Sequence, residues 1–554
     1  MYNLLQEPWV CVADKKGVVQ KVSLRDVFLH AHEYAGFAGD NKAQDVALLR
    51  LCLTILHRVF SRVDAKNHPY EQTGVRTVLQ VWKSLWDLGK FPNEPIQNYL
   101  DEWEHRFDLY DEKRPFFQVP AEFFTEDEKK SKEKLCFAVK LDGNILKSEN
   151  LDKIHIGKMR GFSDSIVLAH DEAARWLVYH QCFDVASGKG YYVSGSCPVG
   201  LGLEGAMVYI IGDSLWETML LNFVMLENGQ NLYDYTEYQT SLTELPTIPC
   251  WEWDDTLRLE KESEHITCSY RNNPISILNL QSRRIHLNYT DDGVNGYWST
   301  YGDVVDMKNN LVETMLIYTV EKKTGDRKLL KVDSSRFWEQ FKYVTTMGTC
   351  GLTAWLSLLE RQGILQKSKF LLAGLGFTLK PMNAAIDEMY HGEMTLQATL
   401  FQHTGKLACS RLADEFARVD KLKKVVCDFA KNLMYCKMNP GSAKSVPIQI
   451  TGYAKGMEAR YMDEVDKVIT TFLINLQEED VSADGLDATC EKLNVLLAKQ
   501  AFRFGAMLWS DANVLVNRNA TNANVDAKKR KSPEEFYLDF RKAVGKALTE
   551  NKQK

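Results

Sequence analysis

A chain of 554 residues exceeds one ordinary domain, and its 45% hydrophobic, 11% aromatic and 26% charged content is that of a folded protein of two or three domains, not a disordered one. The formal net charge of −6 excludes the basic excess of a free-standing nucleic-acid binder, so such binding must use local patches or be shared with partner chains. Neither a secretory n-region nor an apolar run long enough to span a bilayer is read, and the twelve cysteines include no C-x-x-C pair, so a soluble cytoplasmic protein without membrane, metal or cofactor is expected.

Asn3 to Val12 opens as a turn and short strand, and Lys15-Lys-Gly17 reads as a hairpin-like reversal. Val22 to Leu29 begins a helix capped at Ser23. In Gln44 to Arg58 the apolar positions Leu48, Leu49, Leu51, Cys52, Ile55 and Leu56 cover more than half the circumference, which makes it a core helix. His57 and Arg58 at its end read as partners of the helix dipole. Arg114-Pro-Phe-Phe-Gln-Val119 is an apolar insertion among charges, and Lys129 to Lys134 a solvated loop. His170-Asp171 matches the doublet of metal phosphohydrolases, but no spaced His/Asp set completes it and Asp171 reads better as the cap of a helix running to Asp184.

Gly188 to Gly205 then packs six glycines into eighteen residues, followed by an apolar run from Ala206 to Ile211 and a helical pattern from Ser214 to Phe223. Gly200-Leu-Gly-Leu-Glu-Gly205 has the letters of a dinucleotide fingerprint with its flanks reversed, because a helix precedes it and a strand follows. Gly195 to Gly200 begins like a P-loop, yet Leu201 and Gly202 stand where Lys and Ser/Thr must hold phosphate and magnesium. What remains is a loop able to bring backbone against a ligand, or a plain connector. Ile275 to Leu287 alternates as a strand with Arg284 and His286 on one face beside an exposed Gln281, a set able to meet phosphate or to form a charged outer face. Turn signals at Thr290-Asp-Asp-Gly293 and Lys322 to Asp326 make 275–335 β-rich.

Beyond Gly392 the pattern turns helical: Gly405 to Lys437, about Met457 to Leu476, Ser482 to Trp509, and a last helix behind the capping box Ser532-Pro-Glu-Glu535. Four helices with short or polar links predict a bundle. From Lys406 to Lys444 nine Lys/Arg face four acids, so Arg411, Arg418, Lys424 and Lys431 read as a basic bundle face, for nucleic acid or for solvent alike. Lys528-Lys-Arg-Lys531 reads as a localisation signal or a basic linker.

Several stretches in order resemble one family. They are Asn3-Leu-Leu-Gln-Glu-Pro-Trp9, Gly39 to Arg50 with Leu56-His-Arg58, Arg114 to Val119, Glu172-Ala-Ala-Arg175 with Phe183-Asp-Val-Ala186, Leu215 to Asn222, and Gln281-Ser-Arg-Arg-Ile285. Together they resemble the CasA family, the large subunit of the type I-E CRISPR Cascade surveillance complex. The resemblance implies an α+β fold, with a large mixed α/β-type N-terminal domain over 1–395 and a C-terminal four-helix bundle over 396–554. It implies a non-catalytic subunit that sits beside the 5′ handle of the CRISPR RNA among other Cascade subunits, recognises the protospacer-adjacent motif in double-stranded target DNA, starts strand separation and helps to recruit a helicase-nuclease. Such a division of labour leaves the target sequence to guide pairing and only a short duplex motif to protein.

Residue by residue, the family's glycine loop falls on Gly188, Lys189, Gly190, Ser194 and Gly195, and its handle-contacting loop on Arg160, Gly161 and Phe162. Its wedge glutamine falls on Gln362, with Gln366 close by, and Lys308 substitutes for a lysine finger missing near Val304. Two other classes stand beside this reading: a metal-dependent phosphohydrolase around His170 and Asp171, and a helical interaction scaffold without nucleic acid.

Overall fold

A computed structural model describes residues 1–70, 75–124, 135–141, 166–186, 199–227, 230–231, 248–253, 267–268, 274–305, 313–321, 323–324, 327–332, 334–346, 349–383, 385–438, 448–513 and 531–549. The chain divides into two compact units. The first comprises Met1–Phe337, Thr346–Gln366 and Phe370–Glu393, the second Trp338–Thr345, Lys367–Lys369 and Met394–Lys554.

The first unit opens with strands β1 (Val10–Asp14) and β2 (Val19–Val22), joined by the expected reversal, in which Asp14 Oδ1 accepts from Lys16 N and Val18 N and Gly17 takes φ +81°. Helix α1 (Leu24–Leu29) starts at a reciprocal capping box between Ser23 and Asp26, and β3 (Tyr34–Phe37) returns along β1. Helix α2 (Lys42–Phe60), capped by Asn41, is buried along nearly its whole circumference and packs on later helices of the unit, as its apolar girth predicts. Helices α3 (Val75–Asp87) and α4 (Asn93–Trp103) follow, then β4 (Cys136–Phe137) and α5 (His170–Phe183).

The order of helix, glycine stretch, strand and helix holds: α5 is followed by β5 (Met207–Ile211) and by α6 (Leu215–Leu221), capped by Ser214. A small hairpin, β6 (Leu226–Glu227) and β7 (Gln230–Asn231), and strand β8 (Thr267–Cys268) precede α7 (Pro274–Leu278). Strands β9 (Arg283–Thr290) and β10 (Gly293–Tyr301) form an antiparallel pair around the predicted turn, with β4 on the far side of β10. Strand β11 (Val304–Val305) pairs in parallel with β8, and β12 (Tyr318–Val320) with β13 (Arg327–Leu329). After α8 (Phe341–Thr345) and α9 (Gly351–Arg361), β14 (Lys369–Leu379) lies between β5 and β15 (Ile386–Gln397).

The second unit is dominated by α10 (Lys406–Met438), α11 (Ile448–Asn475), α12 (Leu486–Asn513) and α13 (Pro533–Thr549), with α10 packed against the other three. Leu412, Val419, Val426 and Leu433 line its buried face. Ser532 and Glu535 form the predicted capping box. Gly505 lets Phe540 lie against α12, since a Cβ there would stand 2.2 Å from the ring.

Several expectations are corrected. Helix α11 begins at Ile448 rather than near Met457: Ile450 and Ala454 are buried, and that packing outweighs the roughly 1 kcal/mol that each of Gly452 and Gly456 costs a helix. The alternation from Ile275 belongs to two elements, the fully buried α7 and then β9 from Arg283. Asp171 is not the cap of α5, whose N-cap residue is Ala169. It ion-pairs instead with Lys21 at 2.6 Å and Arg175 at 2.8 Å. His57 is no dipole partner, because burial drives its pKa down to about 3 and leaves the ring neutral. Arg418 is not on a basic face: it is buried against Glu415 at 2.9 Å and donates to Leu548 O at 2.7 Å.

Candidate nucleic-acid interface

The site is built on two neighbouring residues of β9. Arg283 and Arg284 point to opposite sides of a strand, and both are buried. The expectation that Arg284 and His286 form an outer polar face beside an exposed Gln281 is therefore corrected: Gln281 is 6% exposed, and the half-buried His286 ring lies with Nδ1 2.9 Å from Val119 O. Arg283 Nε donates to Asp184 Oδ2 at 2.6 Å and Nη2 to Val185 O at 3.2 Å, just beyond the end of α5. Gln181 of α5 fixes the register by accepting from Arg283 N and donating to Arg283 O, both at 3.0 Å. Arg284 Nη2 donates to Asp303 Oδ1 at 2.7 Å. Removing one member of such a buried pair costs about 3–5 kcal/mol, since the other charge is stranded.

These pairs hold the stems of two segments. Asp184 O accepts from Gly200 N at 2.8 Å, so the chain returns after residues 187–198 to the point where it left. Glycine is required there: a Cβ on Gly200 would stand 2.4 Å from Cys182 O, and one on Gly202 2.2 Å from the Phe183 ring. On the other stem Gly302 N donates to Ser282 O and Asp303 N to Gln281 O. Residues 306–312 then lead to Glu313, which Arg50 of α2 holds at 2.7 Å in a pair almost wholly shielded from solvent. One Arg-Arg dipeptide therefore anchors a stem of each segment that carries a predicted DNA-motif residue.

Gly188, Lys189, Gly190, Ser194, Gly195 and Lys308, together with Arg160, Gly161 and Phe162 and the loop Lys129 to Lys134, lie outside the described residues. Gln362 is described: it is the exposed C-cap residue of α9, ahead of Gly363 at φ +64°. Gln366 is also exposed. Helix α9 starts where Cys350 bridges Ile317, so its eleven residues carry Gln362 about 16 Å along the helix from that bridge. The structure brings the two stems together and leaves Gln362 at the far end of α9.

A family model described as CRISPR-associated protein Cse1 matches residues 3–503. The chain belongs to the Cse1 family. A CRISPR-associated CasA/Cse1 protein of Thermus thermophilus is 29% identical over 223 residues, 40% of this chain. That alignment spans 39% of the relative's own length. Among solved structures, Thermobifida fusca Cse1 superposes with a TM-score of 0.72 at 21% identity over 99% of this chain and 98% of its own. Thermus thermophilus CasA gives 0.69 at 20% identity over 99% of both chains. A chain of a CRISPR RNA-guided surveillance complex gives 0.64 at 16%, covering 98% of this chain and 99% of its own. At these identities the likeness is one of fold.

Within this Cse1 chain one feature escaped the sequence reading. Strands β14 and β15 form a long hairpin whose turn is closed by Lys380 N to Ala385 O at 2.9 Å. At its tip Met382 is 89% exposed at φ +61°, and Asn383 follows at φ +54°. Two consecutive non-glycine residues in the left-handed region, one an exposed apolar side chain, mark a strained tip. Only the Pro-Met-Asn run hints at it in sequence.

On α10 the predicted basic face is divided. Arg411 pairs with Asp487 at 2.8 Å, Lys424 is exposed and Lys431 half-buried, while Arg418 faces inward as described. His170 and Asp171 turn to separate partners: Tyr110 Oη lies 2.7 Å from His170 Nδ1, and Asp291 O lies 3.2 Å from Nε2. Among the described residues no three His, Cys, Asp or Glu side chains gather as a metal site. Among the same residues no helix is long and apolar enough to cross a membrane.

Proposed function

We propose that this Cse1-family chain is the large, non-catalytic subunit of a cytoplasmic CRISPR RNA-guided surveillance complex. In this reading it lies beside the RNA handle through residues 160–162 and recognises a short motif in double-stranded DNA next to the target. It then starts strand separation and helps to recruit a helicase-nuclease. The observation that carries the reading is the common anchorage of both candidate motif-reading stems, Asp184–Gly200 and Asp303, on Arg283 and Arg284. Reading a duplex motif demands backbone and short side chains held at fixed spacing, and buried paired arginines supply a stiff base for that. The net charge of −6 agrees with a subunit whose partners provide most of the positive channel.

For strand separation the hairpin tip is a second candidate beside Gln362. An exposed Met at a hairpin tip has the character of the apolar wedges that unstack base steps. The test is target-duplex binding by the complex assembled with and without this chain, over all sequences of the flanking motif. A preference that depends on the chain supports the proposal; the same affinity and preference without it reject the reading. In the same assay Met382→Ala and Gln362→Ala assign the wedge: the true wedge variant still binds the duplex but opens it more slowly, by tenfold or more.

A further inference from the structure

Arg106 ends the short turn Glu104–Arg106 and is 6% exposed. Its Nε and Nη1 have no hydrogen-bond partner, and no ion pair reaches it among the described residues. It lines a cleft in the first unit with Phe116 and Phe117 of the apolar insertion, Trp251 and Trp253, and the two anchoring arginines 283 and 284. Those two are already matched to Asp184 and Asp303. Of the three guanidinium groups on the wall, two are thus matched to carboxylates, while Arg106 has none among the described residues.

A guanidinium cannot shed its proton in a protein, so Arg106 has no route to neutrality of the kind a buried lysine or histidine takes. A buried charge without a partner is strongly destabilising. Such a group calls for an anion. The cleft measures about 400 Å³ with its open mouth, but its enclosed part admits little more than one water-sized group, so an anion can place one oxygen inside while the rest of it stays at the mouth.

We propose that this cleft is an oxyanion site in which Arg106 holds one oxygen of a phosphate group seated at the mouth, beside Phe116, Phe117 and Trp251. The aromatic walls lower the local dielectric and strengthen the charge-assisted contact. The phosphate is either a free inorganic ion or one group of a nucleic-acid backbone at the cleft mouth.

The test uses the full chain. Thermal unfolding and tryptophan fluorescence are followed against sodium phosphate, with sodium chloride at matched ionic strength as reference. The expected result is a saturable response specific to phosphate, the folded-to-unfolded ratio rising roughly 100-fold at 100 times Kd. Arg106→Met abolishes that response and Arg106→Lys keeps part of it. Identical curves in phosphate and chloride overturn the proposal, as does a folded Arg106→Met variant that responds like the parent chain. If Arg106→Met does not fold, the parent titration decides alone. A single-stranded RNA without terminal phosphates, added to the phosphate-saturated chain, identifies the source: displacement assigns a backbone phosphate, and no displacement a free ion.

Discussion

His57 is 2% exposed on α2, with Phe223 edge-on at 4.6 Å, and its pKa falls from 6.5 to about 3 because burial penalises the charged ring. The unfolded chain takes up a proton near pH 6.5 that the folded chain refuses. The neutral ring's contribution is therefore complete above pH 6.5 and is lost as pH falls toward 3. His57→Phe should flatten this part of the pH profile, so that between pH 6.5 and 4 the parent chain loses on the order of 3 kcal/mol more than the variant. Denaturant titrations at several pH values check this, and parallel profiles would show that the ring titrates freely. The same scale holds the misreading of Arg283 and Arg284. Alternation placed them on opposite faces correctly, but the carboxylates that bury them lie 99 and 19 positions away.

At the scale of elements, the glycine stretch is structural where it meets α5. Its far end, Gly200 and Gly202, exists to let the chain close on α5. Gly200→Ala puts a methyl 2.4 Å from a backbone carbonyl, so the stem must open, at a cost of about 1–3 kcal/mol and with loss of motif-dependent DNA binding. Gly36→Ala, where nothing stands within 4 Å of the new Cβ, is the matched control and should change neither. Equal stability of the two variants in thermal unfolding would show that the stem yields freely. Helix caps were legible to the residue at Ser23 and Ser532, because a cap is settled within three or four positions. The boundary of α11 was not, because Ile450 and Ala454 gain their burial from other helices.

For the whole molecule, charge separates structural from surface arginine and lysine on α10. Arg418→Met removes one member of the buried pair with Glu415 and should lower stability by about 3–5 kcal/mol. Lys424→Glu, at an exposed site, should leave stability within about 0.5 kcal/mol. If α10 meets phosphates in the assembled complex, it also weakens binding across all sequences and lowers the salt slope by about one. Circular dichroism of the chain and salt-dependent DNA binding by the complex read the two effects separately. An unchanged slope for Lys424→Glu would return that face to solvent.

By itself the sequence determined the mixed fold with its helical end, the caps at Ser23 and Ser532, turns and breakers, and the motif set that places the chain in the Cse1 family, all carried by neighbours along the chain or by ordered local motifs. Only the tertiary structure decided that Arg283, Arg284 and Arg50 are internal anchors, that Arg418 faces inward, that Arg106 stands unpaired in an aromatic cleft, and that Met382 crowns a strained hairpin. The reason is physical. An arginine reads the same in sequence whether water or a distant carboxylate surrounds it, and its energy is set by which of these the fold brings to it.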